Sequence, residues 1–171
     1  MIAPQTWIAV LRIVVGAWFL KAVWTKLGVE FLWGVVPYPA VSQRFLAFHP
    51  KRVAEFAAGN PVVWYKDFLE GVAVPHSRVF ATLQAYAEAA VGLGLVLGLL
   101  TGLAALVGLF LGLNYGLATQ WMSFGQQGFH VLLTTAMVIC LGARAGRVWG
   151  IDGWILAGRG GRRQRWLRLL I

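Results

Sequence analysis

Acidic side chains are scarce in this chain: six Asp and Glu stand against fifteen Lys and Arg, and charged residues make up only 12% of the 171 positions. Soluble domains carry about 25% charged residues, so the deficit excludes an ordinary soluble domain and favours a membrane protein. Cysteine is nearly absent. The single Cys140 rules out an internal disulfide, a CxxC redox pair and an iron–sulfur cluster ligated by this chain alone. No phosphate-cradling glycine loop, zinc-ligand spacing or nucleophile elbow occurs, so no metal is expected. If the chain serves a redox system, the flavin or metal belongs to a partner. The opening MIAPQTW lacks a basic region, and no small-residue cleavage site closes the first apolar run. That run is therefore expected to be a retained helix.

What the chain has in quantity is apolar and aromatic: 59% of its residues are hydrophobic, including nine Trp and ten Phe. One helical crossing needs about 20 apolar residues, and four such runs are present. They fall at about Thr6–Leu27, Val79–Leu100, Thr101 to near Met122, and Phe129–Ala143. The fold class expected is an all-α integral membrane protein, a bundle of four transmembrane helices. Between the first two runs lies a connection whose prolines, Pro37, Pro39, Pro50, Pro61 and Pro75, act as punctuation. Within it, SQRFLAFHPKRVAEFAAG and PVVWYKDFLEGV suit short amphipathic helices. Val62, Val63, Phe68, Leu69 and Val72 form the expected apolar side of the second. The domain plan is thus a membrane unit over residues 1–155, with an outer cap at about 28–77, and a basic interfacial tail over 156–171.

Charge distribution supplies an orientation. Between Arg144 and Ile171 there are seven Arg and one acid, Asp152. Following directly on a hydrophobic run, such a tail is better read by the positive-inside rule than as a nucleic-acid site. Both termini are expected in the cytoplasm, with the tail against anionic lipid headgroups. For a prokaryotic chain this means the inner membrane.

From Val79 to Met122 the only formally charged side chain is Glu88. A carboxylate at that depth is costly unless paired, protonated or facing a polar cavity, so it marks a functional or pairing site by default. In the first run Arg12, Gly16, Phe19, Val23 and Lys26 share one helical face, with Lys21 about half a turn away. At about 1.5 Å per residue, Glu88 lies near the bilayer middle and Arg12 about 7 Å lower. An Arg12–Glu88 pair is expected, either as a structural salt bridge or as a site. His76 and His130 fall near the outer edge. A bis-histidine haem is one reading of them. A hydrogen bond from His130 to a quinone headgroup, walled by Tyr115 and Asn114, is another, and a plain interfacial position is a third. Gly94 and Gly98, and then Gly108, Gly112 and Gly116, repeat at every fourth position. They make grooves for close helix approach, either between adjacent spans or between subunits.

The segment LRIVVGAWFLKAVWTKL resembles the opening of the DoxX/DoxD family of membrane proteins, with Arg12, Gly16 and Lys26 at the family's marked positions. AEAAVGLGLVLGLLTGLAAL resembles its second-helix signature through Glu88 and Gly98. GARAGRVWGIDG is similar to its ending through Gly146, Arg147 and Asp152. NPVVWYKDFLEGVAVP also resembles chains of this type, so the likeness spans most of residues 7–155. Departures are Val23 in place of a common Gly and Gly102 where a basic residue often follows the Thr. The resemblance implies a four-helix membrane bundle in a quinone-linked setting, as in the membrane subunit of thiosulfate:quinone oxidoreductase. On that reading Glu88 and Arg12 are the candidate catalytic residues, and His130, Tyr115 and Asn114 would contact the quinone. Other subunits of the complex and membrane lipids are the expected partners. The alternative is a non-catalytic subunit stabilising a larger respiratory or photosynthetic assembly. A small-solute transporter using Glu88 is a third class, though the inverted repeat and broken helices common in such proteins are missing.

Overall fold

The computed structural model describes residues 3–158. Four long helices dominate it: α1 (Pro4–Lys26), α4 (Ser77–Leu97), α5 (Thr101–Thr119) and α6 (Phe124–Gly142). Each is long and apolar enough to cross a membrane, so the chain is a multi-pass membrane protein. Between α1 and α4 come a hairpin of β1 (Leu27–Leu32) and β2 (Val36–Val41), then α2 (Gln43–Ala58), α3 (Val63–Phe68) and a π-turn at Leu69–Ala73. After α6 a 3-10 turn, Ala145–Arg147, leads into α7 (Ile151–Gly158).

Burial is that of a membrane bundle. Val79, Leu83, Leu93, Leu106, Phe110, Leu113, Val131, Leu132 and Val138 face outward, where lipid would cover them. The interior between the spans is built from Phe19, Val91, Leu95, Ala105, Leu111, Leu133, Met137 and Cys140. Without a hydrophobic force between helices in lipid, close backbone approach drives association, and small residues permit it. A Cβ on Gly16 would lie 2.8 Å from the Val96 backbone nitrogen, and one on Gly92 would lie 2.8 Å from Leu20. Gly94 meets Ala104 of α5, while Gly108 and Gly112 meet Met137 and Thr134 of α6. The four-residue glycine spacing thus serves packing within the chain.

The α4–α5 turn closes as a Schellman motif. Gly98 takes φ +63, and the Leu99 N–H reaches the Gly94 carbonyl at 2.9 Å, which stops α4 without a β-carbon penalty. The chain then enters α5 through Leu100, itself left-handed and with no capping side chain of its own. Asp152 supplies the cap from α7, accepting the Leu100 and Thr101 N–H groups at 2.8 Å each. Its own N–H returns to the Gly98 carbonyl at 2.8 Å. The family-like Asp after the fourth span is therefore an N-cap for the third.

At the other end sits the cap. Its core is Val53, Ala57, Tyr65, Leu69 and Ala73, joined by Ala118 of α5. Both expected amphipathic helices are present, and of the apolar side expected for the second, Val62, Phe68 and Leu69 pack in or against the cap core while Val63 and Val72 do not. Val63 is 70% exposed and Val72 is 42% exposed, while Tyr65 and Ala73 point inward. The π-turn that follows α3 breaks the single α-helical period assumed for that face.

The hairpin is the element the sequence reading missed. Leu27–Val41 and Leu32–Val36 are its outermost pairs, and Pro39 and Pro37 sit opposite Val29 and Phe31. The Ser42 N–H bonds to the Lys26 carbonyl at 2.9 Å, which sets the ladder phase. The prolines fall at the alternate positions, whose missing N–H would point off the edge, where proline is tolerated in a strand. Of the five prolines read as punctuation, Pro37 and Pro39 are edge-strand residues and Pro50 lies within α2, while Pro61 and Pro75 fall between helices. α6 also starts earlier than expected. Ser123 accepts the Gln126 N–H at 3.2 Å, so SFGQQG is a cap and first turn, not a loop. Of the expected basic tail helix, only the part up to Gly158 lies within the described residues, where it begins at Ile151. The rest falls outside them.

Candidate functional site

Glu88 is 3% exposed, on the inner face of α4. Lys26, the last residue of α1, places its Nζ 2.5 Å from Glu88 Oε2. The other carboxylate oxygen, Oε1, accepts hydrogen bonds from the Tyr115 hydroxyl of α5 and from Gln84 Nε2 at 3.2 Å, one turn earlier on α4. Three spans therefore converge on one carboxylate. Lys26 is 13% exposed, and its ammonium also lies 5.2 Å from the Phe45 ring centroid of α2. A buried charge in an apolar bundle is tolerated when it is paired and hydrogen-bonded, and Glu88 meets both conditions.

The expected partner was Arg12, and the structure corrects this. α1 runs antiparallel to α4, with Gly16 against Leu95–Val96 and Leu20 against Gly92. That register carries Arg12 to the α4–α5 turn and Lys26 to Glu88. Fourteen residues separate the two cations on α1, about 21 Å at the helical rise. Arg12 is completely buried there. Its Nη1 donates to the Ala145 carbonyl at 3.0 Å and its Nη2 to the Trp149 carbonyl at 2.8 Å, so it fastens the segment after α6 to α1. The helical face carrying Arg12, Gly16, Phe19, Val23 and Lys26 was correctly drawn. Its other cation is the one that reaches the carboxylate.

Beside this centre lies a second polar group. His130 of α6 packs its ring 6.3 Å from that of Tyr115. The Thr119 hydroxyl donates to the Tyr115 carbonyl at 2.8 Å, and its oxygen lies 2.9 Å from His130 Nε2. Since that hydroxyl has one hydrogen, already given to Tyr115, it accepts from Nε2–H. This fixes the tautomer by elimination. Nδ1 is then left as a buried atom with no hydrogen-bond partner among the described residues. Asn114 is not part of the cluster. Its amide donates to the Phe110 carbonyl on its own helix at 2.8 Å, and its backbone carbonyl accepts the Tyr65 hydroxyl at 3.0 Å. His76 is exposed, its Nδ1 3.0 Å from the Val72 carbonyl.

His49 of α2, unremarked in the sequence, is 7% exposed and packs between Gln84 and the Lys26 side of the site. Burial lowers its pKa below the usual histidine value, opposed by a hydrogen bond with Gln84, and Lys26 lowers it further. Its Nδ1 is likewise without a partner among the described residues. Within the cap core, burial pushes the Tyr65 hydroxyl up to about 12. Glu88, Tyr115 and His130 thus lie together in the interior of the bundle.

A family model described as TQO small subunit DoxD matches residues 7–170. This chain belongs to the DoxD family. The match takes in the Lys26–Glu88 centre, Tyr115, His130 and the Arg12–Asp152 end of this DoxD-family bundle. No match was found among curated proteins or among solved structures.

Proposed function

We propose that this chain is the integral membrane subunit of a quinone-linked redox complex of the thiosulfate:quinone oxidoreductase type. The observation that carries the reading is the Lys26–Glu88–Tyr115 centre, a buried carboxylate held by three spans, in a DoxD-family chain. A quinone held here would supply the redox chemistry, as an acceptor of two electrons from a partner chain and two protons. The residues here fit such a group. His130 Nδ1 is an orphaned buried atom able to accept a hydrogen bond from a hydroxyl when neutral, or donate one to a carbonyl when protonated.

The chain's own residues would then handle protons and position. Glu88 holds or releases a proton beside the site. Lys26 stabilises its charged form, and Tyr115 and Gln84 fix the orientation of its carboxylate. Thr119 would keep His130 in one tautomer, with Nδ1 left for a ligand. General acid–base participation of this kind contributes roughly 10²- to 10⁴-fold to rate. Arg12 would act at a distance, holding the far end of the bundle together. The basic end of the chain would face the cytoplasm of a prokaryotic cell, placing the cap on the opposite side of the inner membrane.

Glu88→Gln tests this in the complex purified from native membranes. The expected result is an assembled complex with quinone turnover lowered roughly 100-fold. Loss of assembly without a separate kinetic defect would refute the proton-exchange role.

One observation favours a second reading, a purely architectural subunit. The same carboxylate ties α1, α4 and α5 together, and a buried ion pair can often be replaced by apolar residues of similar volume without loss of stability. Lys26→Met combined with Glu88→Leu separates the two. Full turnover in that double variant supports architecture, and a stable but inactive complex supports chemistry.

A further inference from the structure

Beyond α6 the chain builds a cavity that the Glu88 chemistry does not use. Arg144, Arg147, Gly153, Leu156 and Ala157 line a space of about 490 Å³. Both arginines are exposed to it. Among the described residues neither has a carboxylate partner, since the ion pairs there are Lys26–Glu88, Arg52–Glu55 and Lys66–Glu70. Asp152, the one acid in the segment, is fully buried and has both oxygens engaged by the Leu100 and Thr101 N–H groups. It cannot neutralise the pair.

The backbone holding the arginines is fixed. Arg144 sits in the left-handed region at φ 50, where a non-glycine residue persists only if its surroundings impose it. Those surroundings are on hand: Arg12 grips the Ala145 and Trp149 carbonyls on either side of the turn. Gly153 packs so closely that a Cβ would lie 2.2 Å from the Arg147 carbonyl oxygen, which welds α7 to the 3-10 turn. Leu156 and Ala157 add an apolar part to the lining, and the adjacent Trp154 is 78% exposed. Exposed Trp beside apolar residues at the end of spans is typical of the lipid–water interface.

We infer that this cavity binds the headgroup of an anionic phospholipid, its phosphate between Arg144 and Arg147 and the start of its acyl chains along Leu156 and Ala157. Planar guanidinium groups suit phosphate oxygens. A free phosphate would use the arginines but gain nothing from the apolar part of the lining, and that favours the lipid over the ion. The site is independent of the quinone reading, standing at the α4–α5 turn where Arg12, not Glu88, is buried.

The test is thermal unfolding of the detergent-purified full chain with added phosphatidylglycerol, phosphatidylcholine or millimolar inorganic phosphate. Native mass spectrometry would count retained lipid in parallel. Phosphatidylglycerol should raise the midpoint of the wild type well above the effect of phosphatidylcholine. Arg144→Gln and Arg147→Gln, made singly so that each removes one arm, should each lose at least half of that difference and retain fewer lipids. Arg162→Gln/Arg163→Gln, which removes more charge from the tail, should keep it. An undiminished shift in both single variants, or an equal loss in the tail variant, would overturn the site. Equal protection by inorganic phosphate would overturn the lipid assignment.

Discussion

At the level of single residues, the chain separates its two buried cations by task. Lys26 carries a compact ammonium to the carboxylate, and Arg12 carries a planar fork to two backbone carbonyls. The chemistry matches the residue types, because a guanidinium presents donors in fixed directions whereas an ammonium is a compact point charge. Removing one member of a buried pair leaves the other uncompensated, which costs roughly 3–5 kcal/mol. Lys26→Met alone should therefore destabilise the protein by that order, and Lys26→Met/Glu88→Leu should recover most of it. Thermal unfolding of the two variants checks this. His49 sets a pH dependence. Burial lowers its folded pKa, so as pH falls below about 6.5, the usual histidine value, the unfolded chain takes up the proton more readily than the folded one. Stability is complete above that value and declines toward the lower folded pKa. The midpoint should drop between neutral and mildly acid pH, and His49→Gln should flatten that part of the curve. Glu88 could be found in the sequence because a lone acid in an apolar run is a local signal. Its partner could not, because pairing depends on how far α1 slides along α4. That slide is set by the contacts of Gly16 and Gly92, which no local pattern discloses.

At the level of elements, helix ends explain the most. α5 begins without a capping side chain of its own and takes Asp152 from α7, the two N–H bonds being equal at 2.8 Å. A lost N-cap costs about 1–2 kcal/mol. Asp152→Ala should lower the unfolding midpoint accordingly. It should also loosen the turn between α4 and α5, seen as faster hydrogen exchange at the Leu100 and Thr101 amides, while Asp152→Asn, which keeps an acceptor, should do so less. The four spans were readable from hydropathy, and the glycine repeats were readable as packing grooves, since both are periodic features of a single helix. The hairpin was not. Its strands, LGVEFL and VPYPAV, carry two prolines that weigh against a strand until their register is known. Only the pairing of Pro37 with Phe31 and Pro39 with Val29 reveals that the missing donors fall on the free edge. The start of α6 was legible in principle, because Ser123 and Gln126 stand at capping-box spacing.

The whole molecule has two unlike ends, and this makes its orientation testable. One end holds the hairpin, α2 and α3 over the Glu88 centre. The other holds the Arg12–Asp152 knot and the arginine-rich segment that follows it. α1 starts and α6 ends at this second end, so a single orientation places the cap and the arginines on opposite sides of the membrane. The sole native cysteine, Cys140, is fully buried and should not react with a membrane-impermeant maleimide in the folded protein. That gives a silent background for single reporters. Lys51→Cys lies on the exposed side of α2, and Ala143→Cys lies exposed where α6 gives way to the basic segment. If the positive-inside asymmetry governs insertion, Lys51→Cys labels in cells whose outer layers alone are permeable, and Ala143→Cys labels only after the inner membrane is opened. The reverse pattern would invert the topology and move the Glu88 centre to the cytoplasmic half. Labelling of both reporters from one side would contradict the three crossings, α4, α5 and α6, that separate them.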